Sequence, residues 1–233
     1  KADDFAVELA HHYDRAGVDD KAITYLVKIG DRAMQVSAFA QARTAFEKAL
    51  EHMRDADLDA VGAVTRASLQ YRLADVCHRT GSLGTAIDLL EVCLADSRSA
   101  SPALASNALT LVSRIRRQQG RNEDALAASQ EAVTLAEAAQ DKSAIAAALR
   151  GLGLSQWQKG EGGAGRATME RSLATYRELN DRRGVASALG ELGVVAFSTS
   201  DLTTAATAFN DAVKVFREIG DRHLLAIYLG NVG

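Results

Sequence analysis

The densest run of chemically suggestive residues is Lys159-Gly160-Glu161-Gly162-Gly163-Ala164-Gly165-Arg166. Glycines so close together let backbone N–H groups close around a phosphate. Such a loop also needs a Gly-Lys-Ser/Thr end, a strand before it and a helix after it. Here Arg166 and Ala167 stand in the Lys and Ser/Thr places, and the preceding residues carry a helical period. The run therefore reads as a turn between two helices, and its extra glycines predict a mobile turn with a looser helix contact. The histidines are scattered at His11, His12, His52, His78 and His223. Adjacent helical residues point about 100° apart, so His11 and His12 do not form the i, i+4 pair that a helical metal site prefers. Cys77 and Cys93 have neither metal-ligand spacing nor the pattern of a disulfide framework. No Ser/His/Asp or Cys/His set has a catalytic spacing. The expectation is a binding protein rather than an enzyme, with no metal and no cofactor.

The elements that must position any binding residues are helices. The chain has 233 residues, 47% hydrophobic and 24% charged, so it can bury a core. Aromatics are only 5%, there is one proline, Pro102, and alanine is abundant. Alanine is the best helix former, whereas strands favour β-branched and aromatic residues, so an all-α chain is expected. A net charge of −3 argues against general binding to nucleic acid. No apolar run reaches the roughly 18 residues of a membrane span. Two cysteines without a framework fit a reducing compartment, which predicts a cytoplasmic location.

Spacing reveals repeats. Leu152-Gly153, Leu192-Gly193 and Val232-Gly233 are 40 residues apart, with Val112-Ser113 a further 40 upstream and Leu73-Ala74 39 before that. Asp141, Asp181 and Asp221 keep the same step, each before an apolar-periodic run, where aspartate can cap a helix N-terminus. Gly81, Gly120 and Gly160 fall seven residues after the small residue of their repeats, where a left-handed glycine can end a helix. About twelve helices follow: 2–16, 19–35, 39–54, 59–80, 83–97, 102–119, 122–139, 142–159, 162–179, 182–199, 202–219 and 222–233. Ser101-Pro102 starts one of them in the N-cap and first-turn places.

Within each unit the order of residues resembles the tetratricopeptide repeat. That family sets a large residue, Leu-Gly and a large residue on helix A, then Ala, an aromatic and Ala on helix B. The best-matching unit has Leu189, Leu192, Gly193 and Ala196, then Ala205, Phe209 and Ala212. The others are Leu149, Leu152, Gly153 with Gly165, Met169, Ser172; Leu109, Val112, Ser113 with Ala125, Ser129, Ala132; and Leu73, Ala74, Cys77 with Ala86, Leu90, Cys93. The N-terminal stretch follows with Leu9, Ala10, Tyr13, Gly17, Ala22 and Leu26, then Ala42, Phe46 and Ala49. The family's terminal proline is absent, and the step is near 40 residues rather than about 34. The resemblance implies a right-handed superhelical solenoid of antiparallel helix pairs. It would be a single solenoid over 1–233, with atypical helices in 1–54 and regular repeats beginning near 59, 102, 142, 182 and 222. The last repeat is incomplete, so a longer parent chain is expected.

In this family helix A lines the concave face, at positions three before and one, four and five after the small residue. Those positions hold Tyr71, Asp75, His78 and Arg79; then Thr110, Arg114, Arg117 and Gln118; then Arg150, Leu154, Trp157 and Gln158; then Gly190, Val194, Phe197 and Ser198. Arginine forks suit carboxylates and phosphates, and aromatics anchor binding hot spots. The resemblance thus implies a protein or peptide partner, acidic with apolar anchors, or a small anionic ligand. The competing reading pairs these arginines with helix glutamates and uses Trp157 to fill a gap between repeats. The stretch from Phe5 to Leu50 also resembles the helical sensor arm of bacterial signalling ATPases, including LuxR-type activators and cyclases fused to an ATPase. The long repeats are similar to those of peptide-pheromone receptors and polarity scaffolds. Together these imply a regulatory interaction module of a bacterial signal-transduction protein, or a ligand-sensing arm controlling an ATPase or transcription activator outside this chain.

Overall fold

A computed structural model describes residues 5–54, 60–220 and 225, with the side chains of 60 and 61 excepted. Among these residues there are eleven helices and no strand. They are α1 (Ala6–Arg15), α2 (Asp19–Gln35), α3 (Phe39–Glu51), α4 (Ala60–Arg79), α5 (Leu83–Ser97), α6 (Pro102–Gln118), α7 (Asn122–Ala138), α8 (Lys142–Gln158), α9 (Gly162–Glu178), α10 (Arg182–Ser198) and α11 (Leu202–Ile219). The expected all-α repeat class is what forms. The expected helix over 222–233, but for residue 225, and Asp221 lie outside the described residues, as do residues 55–59. Most helices end one residue earlier than their periodicity predicts, and α3 ends at Glu51 rather than at 54.

The turns obey the repeat. Gly81, Gly120 and Gly160 take φ of 82°, 72° and 92°, the left-handed region that glycine enters without a Cβ clash. Ser200 fills the corresponding place in the next repeat at φ 61°, and Ser37, Gln140 and Asn180 take the same region in other turns, at φ 60°, 53° and 55°. Asp141 caps α8, its carboxylate accepting from the N–H groups of Ser143 at 2.9 Å and Ala144 at 3.0 Å. Asp181 caps α10 by accepting from Gly184 N at 2.9 Å. Asp201 caps α11 in the same way, accepting from Thr204 N at 3.1 Å.

Contacts group the chain into two compact units, residues 1–108 and 109–233, divided within α6. In the first, α1 precedes the helix pairs and packs on α2, burying Ala10 and Ala22. The α2/α3 pair meets where Gly30 leaves room for the ring of Phe46. The α4/α5 pair buries Ala74, Cys77, Ala86, Leu90 and Cys93. Arg66 grips Asp96 through two bonds, Nε to Oδ2 at 2.9 Å and Nη2 to Oδ1 at 3.0 Å, tying the start of α4 to the end of α5. Arg72 of α4 pairs with Asp31 of α2. His52, just after α3, faces Asp19 at 2.9 Å and Asp14 at 3.5 Å.

In the second unit α8 and α9 approach most closely through glycine. A Cβ on Gly165 would lie 2.6 Å from the Gly153 carbonyl oxygen and 3.0 Å from Trp157 N, so backbone meets backbone. The glycine-rich run was expected to loosen this pair. Gly165 does the reverse, because with no Cβ on either helix the two backbones come into direct contact. One repeat later Gly193 accepts the ring of Phe209, and a Cβ there would sit 2.6 Å from it. Tyr176, Leu189, Phe209, Val213 and Phe216 continue this core. Surface ion pairs follow the repeat step too: Lys142 with Glu178 and Arg182 with Glu218 lie 40 residues apart.

Candidate interaction surface

In each pair the helix carrying the small residue (α4, α6, α8 and α10) is the A helix, and the one after it is B. Within the second unit, successive A helices are joined by side chains one repeat apart. Ser113 Oγ lies 3.1 Å from Ser155 Oγ, both buried, so α6 and α8 meet over small hydroxyls. Arg117 Nη1 donates to the Gly151 carbonyl at 3.3 Å. Arg150 Nη1 donates to Glu191 Oε1 at 2.5 Å, linking α8 to α10. Trp157 Nε1 donates to Ser198 Oγ at 2.8 Å.

These contacts bring three guanidiniums to one place. Arg114 and Arg117 are one turn apart on α6, and Arg117 reaches the α8 backbone beside Arg150. Burial pushes Arg117 down to about 10; Glu191 acts to raise it, while Arg114 and Arg150 repel its charge. Arg150 and Glu191 keep only 16% and 18% of their side chains exposed, so this pair is far from fully solvated. The second carboxylate oxygen of Glu191 is buried without a hydrogen-bond partner. Burial raises the Tyr176 phenol, which Arg150 also contacts and acts to lower. The physical consequence is a concentration of positive potential in a place where water screens little.

The other expected residues divide by location. Leu154, Trp157 and Val194 are half-buried on α8 and α10, Gln118 is exposed at the end of α6, and Phe197 is 64% exposed. Tyr71, Asp75, His78 and Arg79 lie on α4 in the first unit, where Arg79 Nε donates to Asp75 Oδ2 at 2.9 Å. Trp157 is half-buried and bonded to the neighbouring repeat, whereas Phe197, at the same place in the next repeat, projects into solvent.

Glu191 and Tyr176 were missed from the sequence. The signal for Glu191 was present: Arg150 and Glu191 are opposite charges 41 residues apart, one repeat plus one residue, on successive A helices. Tyr176 sits on a B helix, and no reading confined to A helices finds it. Among the described residues no group of three His, Cys, Asp or Glu could hold a metal ion, and no helix is long and apolar enough to cross a membrane.

Residues 152–219 match the model of the tetratricopeptide repeat family. No curated protein sequence matches the chain. Several solved structures share its fold. BtubC (BKLC) from P. vanneervenii superposes with a TM-score of 0.72 at 16% identity, over 95% of this chain and 92% of that one. The Rap conjugation gene regulator of plasmid pLS20, in complex with the Phr* peptide, gives 0.76 at 16% identity, over 89% of this chain and 57% of its own. The nearly identical TPR-like repeats from Podosopora anserina give 0.63 at 12% identity, over 86% and 97%. The described chain thus has the fold of TPR-like helical-repeat proteins, and its residues 152–219 are similar to the tetratricopeptide repeat.

Proposed function

We propose that this chain is a protein-interaction module that binds a peptide or protein segment along its A helices and carries out no catalysis. The observation that carries this reading is that Arg117, Arg150 and Trp157 each bond across to a neighbouring A helix, on α6, α8 and α10, the helices that also carry Arg114 and the exposed Phe197. Cations and aromatics side by side offer both charge-assisted hydrogen bonds and apolar anchoring. The similarity in fold to a Rap protein that holds the Phr* peptide supports a peptide as occupant. Tyr71, Asp75, His78 and Arg79, on α4 of the first unit, are proposed as partner-binding residues of that unit. Placement in a bacterial signal-transduction protein of the cytoplasm belongs to the same proposal and rests on the sensor-arm resemblance of residues 5–50.

Selection from a displayed peptide library tests it. The wild-type chain is expected to enrich peptides that the double variant Arg114→Glu, Trp157→Ala does not retain. Enriched peptides held equally by the variant would place binding elsewhere. The second reading is a small-anion sensor arm, favoured by the same concentration of guanidiniums. It predicts that an inducer raises the melting temperature by mass action while no peptide is enriched.

A further inference from the structure

The cationic cluster already holds a carboxylate, and that carboxylate belongs to the chain. Glu191 reaches it from α10, bonded to Arg150 at 2.5 Å through one oxygen. Its other oxygen is buried and accepts nothing. A carboxylate can accept several N–H bonds, and one left half-satisfied in a poorly solvated place is held below its full strength. On the other side, Arg117 feels two like charges and one opposite one. At Arg117 the like charges of Arg114 and Arg150 thus oppose the one carboxylate of Glu191, in a place that already seats a glutamate side chain.

We propose that Arg114, Arg117 and Arg150 form a recognition site for an acidic side chain of the bound segment, and that Glu191 occupies it as an internal competitor when no segment is bound. This rests on the reading of the A helices as the binding surface. The neighbours set the rest of the motif. Arg150 and Trp157 are seven residues apart on α8, hence on one face and about 10 Å apart along the axis. An extended peptide spans that distance in about three residues. The bound segment thus carries Asp or Glu with a bulky apolar side chain three residues away, the latter against Trp157 and Phe197. Charge complementarity selects an acidic segment, and the glutamate already seated there selects a side chain rather than a free terminus.

The test uses random peptides displayed with both ends blocked by fusion, so that every carboxylate comes from a side chain. Selection on the wild-type chain is expected to enrich Asp or Glu spaced three residues from Leu, Phe, Ile or Trp. Changing that acid to its amide in an enriched peptide should weaken binding roughly ten-fold, the scale of a charge-assisted bond. Arg117→Gln should do the same, and Arg114→Gln repeats the measurement if the first variant unfolds. Glu191→Gln is the discriminating variant, because removing the competitor should tighten binding several-fold, whereas a purely structural pair would leave it unchanged or weaken it. Enriched peptides without an acidic preference, or acidic peptides indifferent to both arginine variants, overturn the proposal while leaving the interaction module standing. Enrichment of no peptide overturns the module itself.

Discussion

Two glycine-to-alanine changes in one helix, two residues apart, should move stability in opposite directions. Gly163 and Gly165 both lie in the first turns of α9. A Cβ on Gly163 meets nothing within 4 Å, so Gly163→Ala only reduces the freedom of the unfolded chain and should stabilise by about 0.4–1 kcal/mol. At Gly165 the same methyl would lie 2.6 Å from the Gly153 carbonyl oxygen, 3.0 Å from Trp157 N and 3.3 Å from Trp157 Cβ. All three belong to α8, and the nearest two are backbone, so no rotamer change relieves the contact. Restoring an ordinary separation needs α8 and α9 to part by roughly 1 Å. Overpacking costs about 1–3 kcal/mol, and a clash with backbone that no rotamer relieves falls at about 2–3 kcal/mol; against a helix-propensity gain of about 1 kcal/mol this leaves a net loss of about 1–2 kcal/mol. The two variants should then differ by about 1.4–3 kcal/mol, a shift of about 1 M in the urea midpoint at an ordinary slope. The assay is urea unfolding followed by circular dichroism, with the slopes compared as well as the midpoints. A Gly165→Ala protein as stable as the wild type would refute direct backbone contact between α8 and α9.

Other consequences are simpler. Phe209→Ala should cost about 3–5 kcal/mol in chemical denaturation, since the ring is only 4% exposed and fills the space left by Gly193. Asp141→Ala should cost about 1 kcal/mol by removing a cap that serves two N–H groups of α8, and Asp141→Asn should recover most of it. Asp201 is held below the ordinary aspartate range by the hydroxyl and N–H of Thr204 and by Arg166. A carboxyl whose folded value is depressed adds stability above its unfolded value and loses it as pH falls through the folded one. Comparing wild type with Asp201→Asn by thermal melts should therefore show a gap that is full at neutral pH and closes only below the ordinary aspartate range. A gap independent of pH would mean that the charge of Asp201 contributes nothing.

The repeat was legible because it is written in local terms. Turn glycines, capping aspartates and small residues on helix A each act over a few residues, so their spacing alone predicts α2, α5 and α11 to the residue. Even the role of Phe209 follows from pattern, since an aromatic opposite a glycine has one place to go. The same local reading misjudged Gly165. Glycine's flexibility is a property of one residue, whereas its closeness to Gly153 depends on a second helix twelve residues away and is decided by packing.

The candidate site shows the same division. From the sequence, the family resemblance selected Arg114, Arg117, Arg150, Trp157 and Phe197 as residues of the concave face of their A helices. Which of them meet was decided only in three dimensions. Arg150 finds Glu191 on the next repeat, Arg117 reaches the Gly151 carbonyl, Trp157 bonds Ser198, and Phe197 stays in solvent. The reason is physical: periodicity sets the direction of a side chain about its own axis, but charge and burial depend on the neighbouring helix. That neighbour lies some forty residues away in sequence and only a side chain's length away in space.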